Sequence, residues 1–273
     1  MQSDTGGPFE SRSIPDSYRT HLQPVIFEPW AARLVAFVGL EAGQTVLDVA
    51  SGTGAVARAA AGAVGSSGRV IASDISTGML SHVQLGADPD GAAIEVLESP
   101  ATAIALPDDT VDVALCQQGF PFIPDRVAAA REMRRVLRPG GTIGVAVWAA
   151  GRRLEPFDSY GEVLVAAGFD TPFIRGSASG AMSMSEAEMR EVLSAAGFID
   201  VDVAVQELEL EWPSGEEAAA GIGGTPYWPI VESLEPGRRN DVLSALRRAL
   251  TGEKGRPLRQ TTFAVLGRGT VGR

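Results

Sequence analysis

An apolar run that ends in a glycine turn and continues as an alanine-rich stretch constrains this chain more than any other segment. The run is Val46–Val49, the turn is Ala50–Gly54, and Ala55–Ala61 reads Ala-Val-Ala-Arg-Ala-Ala-Ala. Glycine permits positive φ angles and a close approach of backbone to ligand, and the free N–H groups of a helix that begins at the turn point toward that ligand. The pattern predicts a strand, a turn and a helix around a nucleotide-type cofactor.

Two acidic residues near the turn bear on which cofactor binds. Asp74 follows the run Arg69–Ser73, twenty residues after Gly54, and would bind the ribose hydroxyls that NAD and S-adenosylmethionine (SAM) share. Asp48 lies four residues before Gly52. A carboxylate there would repel the pyrophosphate of a dinucleotide and attract the ammonium and sulfonium of SAM. It could also cap the turn without excluding that role, so the pair favours SAM.

Four segments in order resemble the class I SAM-dependent methyltransferases, and within them the ubiquinone/menaquinone-biosynthesis type. The resemblance covers roughly residues 15 to 150. It implies an α/β fold with a Rossmann-like, seven-stranded, mostly parallel sheet, an antiparallel C-terminal strand, an N-terminal helical lid and helical insertions. The matching segments are Val46–Ala57, Val70–Ile75, Val111–Asp125 and Arg131–Trp148, which contains Leu137-Arg138-Pro139-Gly140-Gly141.

Strand and helix patterns alternate along the chain. Apolar runs without strict alternation indicate parallel strands that are buried on both faces. An edge strand is expected at Ile199–Trp212 and a short final strand at Thr261–Leu266, and two short helices, interrupted by Pro24 and Pro29, are expected within Ser17–Val38. The other expected strands are 44–50, 69–74, 93–98, 111–117 and 141–148, and the other expected helices are 54–63, 77–86, 125–137, 156–167 and 185–196.

The domain organisation expected from these patterns is simple. Residues 1–16 are expected to be disordered, and residues 17–273 to form a single methyltransferase domain. Lid or substrate insertions are expected at about 17–40, 151–184 and 213–259.

Composition limits the classes of partner. The single cysteine fits a reducing compartment, and neither a leader nor a run of about 20 apolar residues is visible, so a cytoplasmic protein without a membrane span is expected. The net charge of −11 argues against nucleic acid as a partner. No His/Cys cluster suggests a metal site. The oligomeric state is left open.

The resemblance assigns cofactor-binding roles to residues after the first, second, third and fourth strands. Where the family usually has an acid that binds the adenine amino group, this chain has Pro100, so either Ala101 or Thr102 would have to replace it or Glu98 could substitute. Met79 is equally well explained as a helix-core residue. The residues expected to bind SAM are Tyr18, Asp48, Ala50, Ser51, Gly52, Thr53, Gly54, Asp74, Ile75, Met79, Ala101, Thr102 and Gln117.

The acceptor side is less well defined by the sequence. His21, in the lid, is the candidate general base, whereas His82 is expected to be structural. Aromatic residues could line an acceptor pocket or simply pack the lid. The candidate acceptor-binding residues are Phe27, Trp30, Gln118, Phe122, Trp148, Tyr160, Tyr227 and Trp228.

The function implied by the resemblance is methyl transfer from SAM to a small molecule. O- or C-methylation in natural-product or quinone-type metabolism is expected, with S-adenosylhomocysteine (SAH) as the product. Three alternatives stay open: an enzyme that uses SAM only as a scaffold for a non-methylating reaction, a non-catalytic SAM-binding protein, and an NAD enzyme, against which Asp48 argues.

Overall fold

The structure, a computed structural model, describes residues 13–86, 88–170, 182–251 and 256–273. The chain divides into two compact units. The first unit consists of Met1–Phe27, Ala150–Met182 and Glu207–Phe263, and the second of Glu28–Ala149, Ser183–Gln206 and Ala264–Arg273. The expectation of a single domain with insertions stays a prediction.

Strands and helices alternate through most of the described chain. The strands are β1 Thr45–Val49, β2 Arg69–Asp74, β3 Ala93–Glu98, β4 Val111–Gln117, β5 Leu137–Ala149, β6 Ser183–Met184, β7 Ile199–Trp212 and β8 Leu258–Thr270. The α-helices are α1 Ser13–Ser17, α2 Glu28–Val38, α3 Ala55–Val64, α4 Thr77–Leu80, α5 Arg126–Val136, α6 Phe157–Ala166, α7 Glu186–Ala195, α8 Gly215–Ala220, α9 Trp228–Glu232 and α10 Pro236–Ala249. Tyr18–Phe27 is π-helical, and Phe120–Phe122 and Gly221–Gly224 are 3₁₀ turns.

The strands form one sheet in the order β3-β2-β1-β4-β5-β8-β7, and the two-residue β6 also pairs with β5. Pairing from β3 to β5 is parallel, and β8 runs antiparallel to β5 from Thr142↔Thr270 to Trp148↔Ala264. The seven-stranded, mostly parallel sheet with an antiparallel C-terminal strand is therefore confirmed, with β6 as an additional short strand.

The order of the strands determines where a ligand can bind. β1 pairs with β2 on one side and with β4 on the other, so the winding of the sheet reverses at β1. In open α/β sheets ligands bind beyond the carboxyl ends of the strands at such a switch point. Val46, Leu47 and Val49 of β1 are buried, as expected for a central strand that is covered on both faces.

The fourth helix is shorter than the sequence suggested. A helix was expected over 77–86, but α4 ends at Leu80. The N–H groups of His82 and Val83 bond to the carbonyls of Met79 and Leu80, three residues back, so the chain continues as tight turns. For two strands the predicted type is correct and only the bounds differ. β5 begins at Leu137 and not at residue 141, and β8 extends over Leu258–Thr270 and not only over Thr261–Leu266.

The N-terminal helical segment also differs from its expected form. The first helix begins at Ser13, whereas disorder was expected through residue 16, and fully buried Ile14 explains the order. Two short helices interrupted by Pro24 and Pro29 were expected, but helical residues run without a break from Ser13 to Val38, with Pro24 inside the π-helical segment and Pro29 as the second residue of α2. The expected disorder of residues 1–12 lies outside the described residues.

Within the first unit, glycine backbone packs directly on the π-helical segment. A Cβ atom at Gly224 would lie 2.5 Å from the Cα of Tyr18, and one at Gly221 would lie 2.6 Å from the Cδ2 of Leu22. Side chains larger than hydrogen would force these elements apart. The segment Gly215–Gly224 is therefore held close to the π-helical residues.

Candidate functional site

The turn between β1 and α3 has an unusual backbone. Ala50, Gly52 and Gly54 have φ values of 55°, 53° and 86°. A non-glycine residue in this region costs roughly 1–3 kcal/mol, and such residues cluster at binding sites. A Cβ atom built on Gly52 would meet nothing within 4 Å, so the backbone of the turn borders open space. A ligand can approach the peptide groups here closely.

Asp74 ties this turn to the end of β2. Its Oδ2 accepts a hydrogen bond from the Gly52 N–H at 2.8 Å, and its Oδ1 accepts one from the Ser76 N–H at 2.9 Å. Burial raises the pKa of Asp74, and these backbone N–H groups act in the opposite direction. Because a carboxylate has about four lone-pair sites, Asp74 can still accept hydrogen bonds from a diol.

Asp48 lies buried beneath the turn. Its Oδ2 accepts a hydrogen bond from the Ala57 N–H at 2.9 Å. Burial raises the pKa of Asp48 to about 8, and the Ala57 hydrogen bond only partly offsets that rise. A buried carboxylate becomes stable when a cation lies beside it. The charge that the sequence suggested for Asp48 therefore depends on what binds there.

Two serine hydroxyls at the strand ends add hydrogen-bonding capacity. The Oγ atoms of Ser51 and Ser73 are buried and have no partner among the described residues. The Ser51 N–H donates to the Ser73 carbonyl at 3.0 Å, which holds the two serines on adjacent strand ends. Buried polar atoms are usually hydrogen-bonded, so these hydroxyls fit a polar ligand.

The residues expected near the adenine differ in exposure. Ile75, directly after Asp74, is 62% exposed, while Met79 on α4 is buried. An apolar side chain exposed beside a polar turn suits contact with an aromatic ring. In the loop after β3, Ala101 is half-buried and Thr102 is exposed. The roles of these four residues stay predictions.

The loop after β4 lies against the glycine turn. A Cβ atom at Gly119 would lie 2.7 Å from both the Ala50 Cβ and the Cys116 Sγ, so only glycine fits. Gln117 ends β4 and pairs with Ala146. The structure thus places the loop that follows Gln117 next to the turn that contains Ala50, and a cofactor contact by Gln117 stays a prediction.

The aromatic candidates in the second unit are mostly core residues. The rings of Trp30 and Trp148 are buried and meet edge to face, with centroids 6.0 Å apart. Phe122, in the 3₁₀ turn after β4, is half-buried. Packing of α2 on β5 accounts for the two tryptophans, and contact with an acceptor stays a prediction for all three.

The first unit contains the candidate base. His21 Nδ1 lies 2.8 Å from Glu217 Oε2, and their side chains are 26% and 48% exposed. Sequence patterns missed Glu217 because the two residues are 196 positions apart. A carboxylate on one ring nitrogen fixes the orientation of a histidine and leaves the other nitrogen for chemistry. Tyr18 stacks on Phe27 with ring centroids 4.6 Å apart.

The remaining aromatic candidates cluster within the first unit. Tyr160 is fully buried, its hydroxyl donates to the Ala218 carbonyl, and its ring lies 6.4 Å from that of Tyr227. The Nε1–H of Trp228 is buried without a partner among the described residues. Packing therefore accounts for Tyr160, whereas the indole N–H of Trp228 has no acceptor within the described ranges.

Neither a metal cluster nor a membrane-spanning helix is found where the structure describes the chain. In the four described ranges, no three or more His, Cys, Asp or Glu side chains form a group that could hold a metal ion. None of the helices in these ranges has the length and apolar character needed to cross a bilayer.

Similarity to known proteins agrees with this geometry. Residues 46–141 match a family described as a methyltransferase domain. The nocamycin O-methyltransferase of Saccharothrix syringae is 32% identical over 240 residues, which cover 82% of this chain and 84% of that protein. The ubiquinone/menaquinone biosynthesis C-methyltransferase of Hahella chejuensis is 37% identical over 116 residues, covering 42% of this chain and 47% of that protein. The chain spans about half the length of the first curated relatives that it matches.

A solved structure with the same fold carries the cofactor suggested by the sequence. Phosphoethanolamine N-methyltransferase 2 of Haemonchus contortus, in complex with SAM, superposes with a TM-score of 0.58 at 16% identity. The match covers 96% of this chain and 56% of that chain. At this identity the likeness concerns the fold alone.

Proposed function

Since the chain belongs to the class I SAM-dependent methyltransferases, we propose that it transfers the methyl group of SAM to an oxygen or carbon atom of a small-molecule acceptor. SAM is the cofactor of this family, and SAH is the product. We place the reaction in natural-product or quinone-type metabolism. The O- and C-methyltransferase relatives support that range of acceptors.

The hydrogen bonds of Asp74 carry this proposal. The carboxylate joins the N–H of Gly52 to the N–H of Ser76, so it lies at the ends of β1 and β2 with acceptor capacity left over. A diol that donates to Asp74 would place its ribose next to the open side of Gly52. This geometry supports a nucleoside ligand at the turn.

Asp48 supports a cationic ligand in preference to a dinucleotide. An ionised Asp48 carboxylate buried under the turn would repel a pyrophosphate. The ammonium and sulfonium of SAM would instead stabilise the ionised form of Asp48, whose pKa burial has raised to about 8. The unpartnered hydroxyls of Ser51 and Ser73 add donors for the polar end of the ligand.

We assign the cofactor contacts accordingly. The methionine part of SAM is bound by Asp48 and the turn, the ribose by Asp74, and the adenine by residues after β2 and β3. Tyr18 is assigned to the cofactor carboxylate. The complete set is Tyr18, Asp48, Ala50, Ser51, Gly52, Thr53, Gly54, Asp74, Ile75, Met79, Ala101, Thr102 and Gln117.

Methyl transfer from SAM needs few catalytic groups from the protein. SAM supplies a methyl carbon that is already activated for displacement. The chain's residues orient the acceptor in line with that carbon and exclude water, which can provide most of the acceleration. Where the acceptor carries a proton, His21 removes it through Nε2, while Glu217 holds Nδ1.

The acceptor itself is proposed to be small and partly apolar. The residues assigned to it are Phe27, Trp30, Gln118, Phe122, Trp148, Tyr160, Tyr227 and Trp228. The net charge of −11 disfavours nucleic acid as the acceptor, because the protein would repel the phosphate backbone. We also propose a cytoplasmic location.

Calorimetric titration with SAM, SAH and NAD tests the proposal. Wild-type protein should bind SAM and SAH, and Asp74→Ala should weaken both by about 100-fold because it removes charge-assisted hydrogen bonds. Asp90→Ala, in an exposed loop of the same unit, is the matched control.

A screen of acceptors for SAH release completes the test. SAM binding with SAH release establishes a methyltransferase. Tight SAM binding without SAH release for any acceptor would favour the scaffold or the non-catalytic alternative. Binding of NAD alone, or of none of the three ligands, would overturn the proposal.

A further inference from the structure

The loop after β4 and the short strand β6 meet on one side of β5. β4 pairs with β5 as far as Gln117↔Ala146, and β6 pairs with β5 at Trp148↔Ser183. Because β8 occupies the other side of β5, Gln118 lies at the junction where β4 ends and β6 begins. Gly119, packed on Ala50, keeps this junction next to the glycine turn.

The side-chain amide of Gln118 has a defined orientation. Its oxygen Oε1 lies 3.0 Å from the backbone nitrogen of Trp148. That nitrogen is a donor, so the atom facing it must be the amide oxygen, and Nε2 must point elsewhere as a pure donor. Gln118 also has a φ of 56°, a strained conformation for a residue other than glycine.

Two hydrogen-bonding atoms at this junction have no partner in the part of the chain that the structure describes. Gln118 is 7% exposed and Ser183 is 5% exposed. Gln118 Nε2 and Ser183 Oγ are buried, and neither has a hydrogen-bond partner among the described residues. Both belong to residues held against Trp148, one by a hydrogen bond and one by strand pairing. Buried donors are rarely left unpaired, so the pair fits a ligand oxygen.

We propose that Gln118 Nε2 and Ser183 Oγ bind an oxygen of the methyl acceptor, which makes the acceptor a phenolate, an enolate or a related oxygen-bearing compound. This inference rests on the proposed function. An amine nitrogen could accept a hydrogen bond from Nε2 only through its single lone pair, which must instead attack the methyl carbon, and its N–H groups have no acceptor in Nε2, which can only donate. Hydrogen bonds from two donors also stabilise the negative charge on a phenolate or enolate oxygen.

This class of acceptor accounts for either O- or C-methylation. After the acceptor's proton passes to Nε2 of His21, the base proposed above, the anion can attack the methyl carbon through oxygen or through the conjugated carbon. A C–O or C–C bond forms and the methyl C–S bond breaks, with its electron pair going to sulfur, so that the acceptor becomes neutral and SAH is released. Gln118 and Ser183 hold the oxygen in both cases and are not consumed.

Binding of two fluorescent probes to SAH-loaded protein tests the inference. The probes are 2-naphthol and 2-naphthylamine, which differ only in hydroxyl or amino group. Wild-type protein should bind the naphthol about tenfold more tightly, because one or two net hydrogen bonds separate the probes. Gln118→Met and Ser183→Ala should each reduce that ratio about threefold, and the double variant should reduce it to about one.

Controls separate recognition from damage to the fold. Gln44→Met removes a similar contact, since Gln44 Oε1 accepts the Glu41 N–H at 2.8 Å, but it lies before β1 and should leave the ratio unchanged. Thermal unfolding and SAH affinity are measured for each variant. A merely structural Gln118 would lose affinity for both probes equally and leave their ratio intact.

The outcomes distinguish this inference from the proposed function. If SAH-loaded wild type binds both probes equally or binds neither, or if Gln118→Met keeps the wild-type ratio, the inference is overturned while the SAM site stands. If the wild type binds neither SAM nor SAH, the proposed function itself is overturned.

Discussion

Asp48 Oδ2 accepts a hydrogen bond from the backbone N–H of Ala57 at 2.9 Å, which joins the middle of β1 to the first turn of α3. The contact spans the glycine turn and keeps an acid directly beneath it. Burial raises the pKa of Asp48 to about 8, so the cofactor-free protein carries this group largely protonated at neutral pH.

SAM affinity should therefore depend on pH. A cation beside Asp48 favours its ionised form, so SAM binding releases a proton and strengthens as pH rises from about 6 to about 8, by at most about tenfold per pH unit. Asp48→Asn should bind SAM more weakly and lose this slope. Calorimetry at several pH values measures both effects. If the SAM affinity of Asp48→Asn depends on pH as steeply as that of wild type, Asp48 is not part of the binding site.

The stability of the cofactor-free protein should depend on the same residue. The unfolded chain releases the Asp48 proton near the ordinary pKa of 3.8, whereas the folded chain keeps it until about pH 8. The unfolded state binds fewer protons in this window, so the contribution of Asp48 to the free energy of unfolding falls as pH rises from about 4 to about 8.

Urea denaturation of Asp48→Asn and wild type checks this direction. The variant keeps an oxygen for the Ala57 N–H but has no proton to lose. The free energy of unfolding of the variant minus that of wild type should increase as pH rises from about 5 to about 8. A difference that stays constant over that range would contradict the burial effect.

Two glycines of the same region should respond to alanine in opposite directions. Gly54 has a φ of 86°, and a Cβ atom there would lie 3.1 Å from the Val83 Cα. Gly54→Ala should therefore lower the free energy of unfolding by about 1–3 kcal/mol. Gly62, in the interior of α3, has open space around it, and Gly62→Ala should raise that free energy by about 0.5–1 kcal/mol. Chemical denaturation of both variants measures the contrast, and equal effects would refute it.

The pair of His21 and Glu217 should matter for turnover and little for stability. Both side chains are partly exposed, and even a fully charged exposed pair contributes only about 0.2–1 kcal/mol. His21→Asn should lower methyl transfer to a protonated acceptor by about 10²- to 10⁴-fold. Glu217→Gln should lower it less, and the double variant should be no slower than His21→Asn.

Rates of SAH release and thermal unfolding of the three variants check this pair. Wild-type turnover by His21→Asn would exclude the histidine as a base. A large loss of stability in both single variants would instead give the pair a structural role.

Local sequence determined the centre of the site. The glycines at 52 and 54 predict a sharp turn because few other residues adopt positive φ, and the apolar run before them predicts a buried central strand. Asp74 follows directly from the end of the next run. These features depend on neighbouring residues, so the strand, the turn, the helix and the position of Asp74 could be predicted from the sequence, while ribose binding by Asp74 stays a proposal.

Other properties of the same residues were not visible. The length of α4 depended on tight turns after Leu80, and Met79 and Ile75 received similar roles although one is buried and the other is 62% exposed. Helix and strand patterns report period, whereas exposure depends on what packs against each face.

By itself, the sequence predicted the individual strands and the glycine turn, because glycine turns and apolar periods act through the nearest residues, and the resemblance of its motifs to a known family implied the sheet and SAM as the cofactor. Tertiary structure decided which distant side chains meet and how strongly burial changes their properties. It brought Glu217 to His21 across 196 positions, fixed the amide of Gln118 on Trp148, and raised the pKa of Asp48 by burial. Each of these depends on distances and solvent exclusion between segments far apart in the chain, which local patterns do not encode.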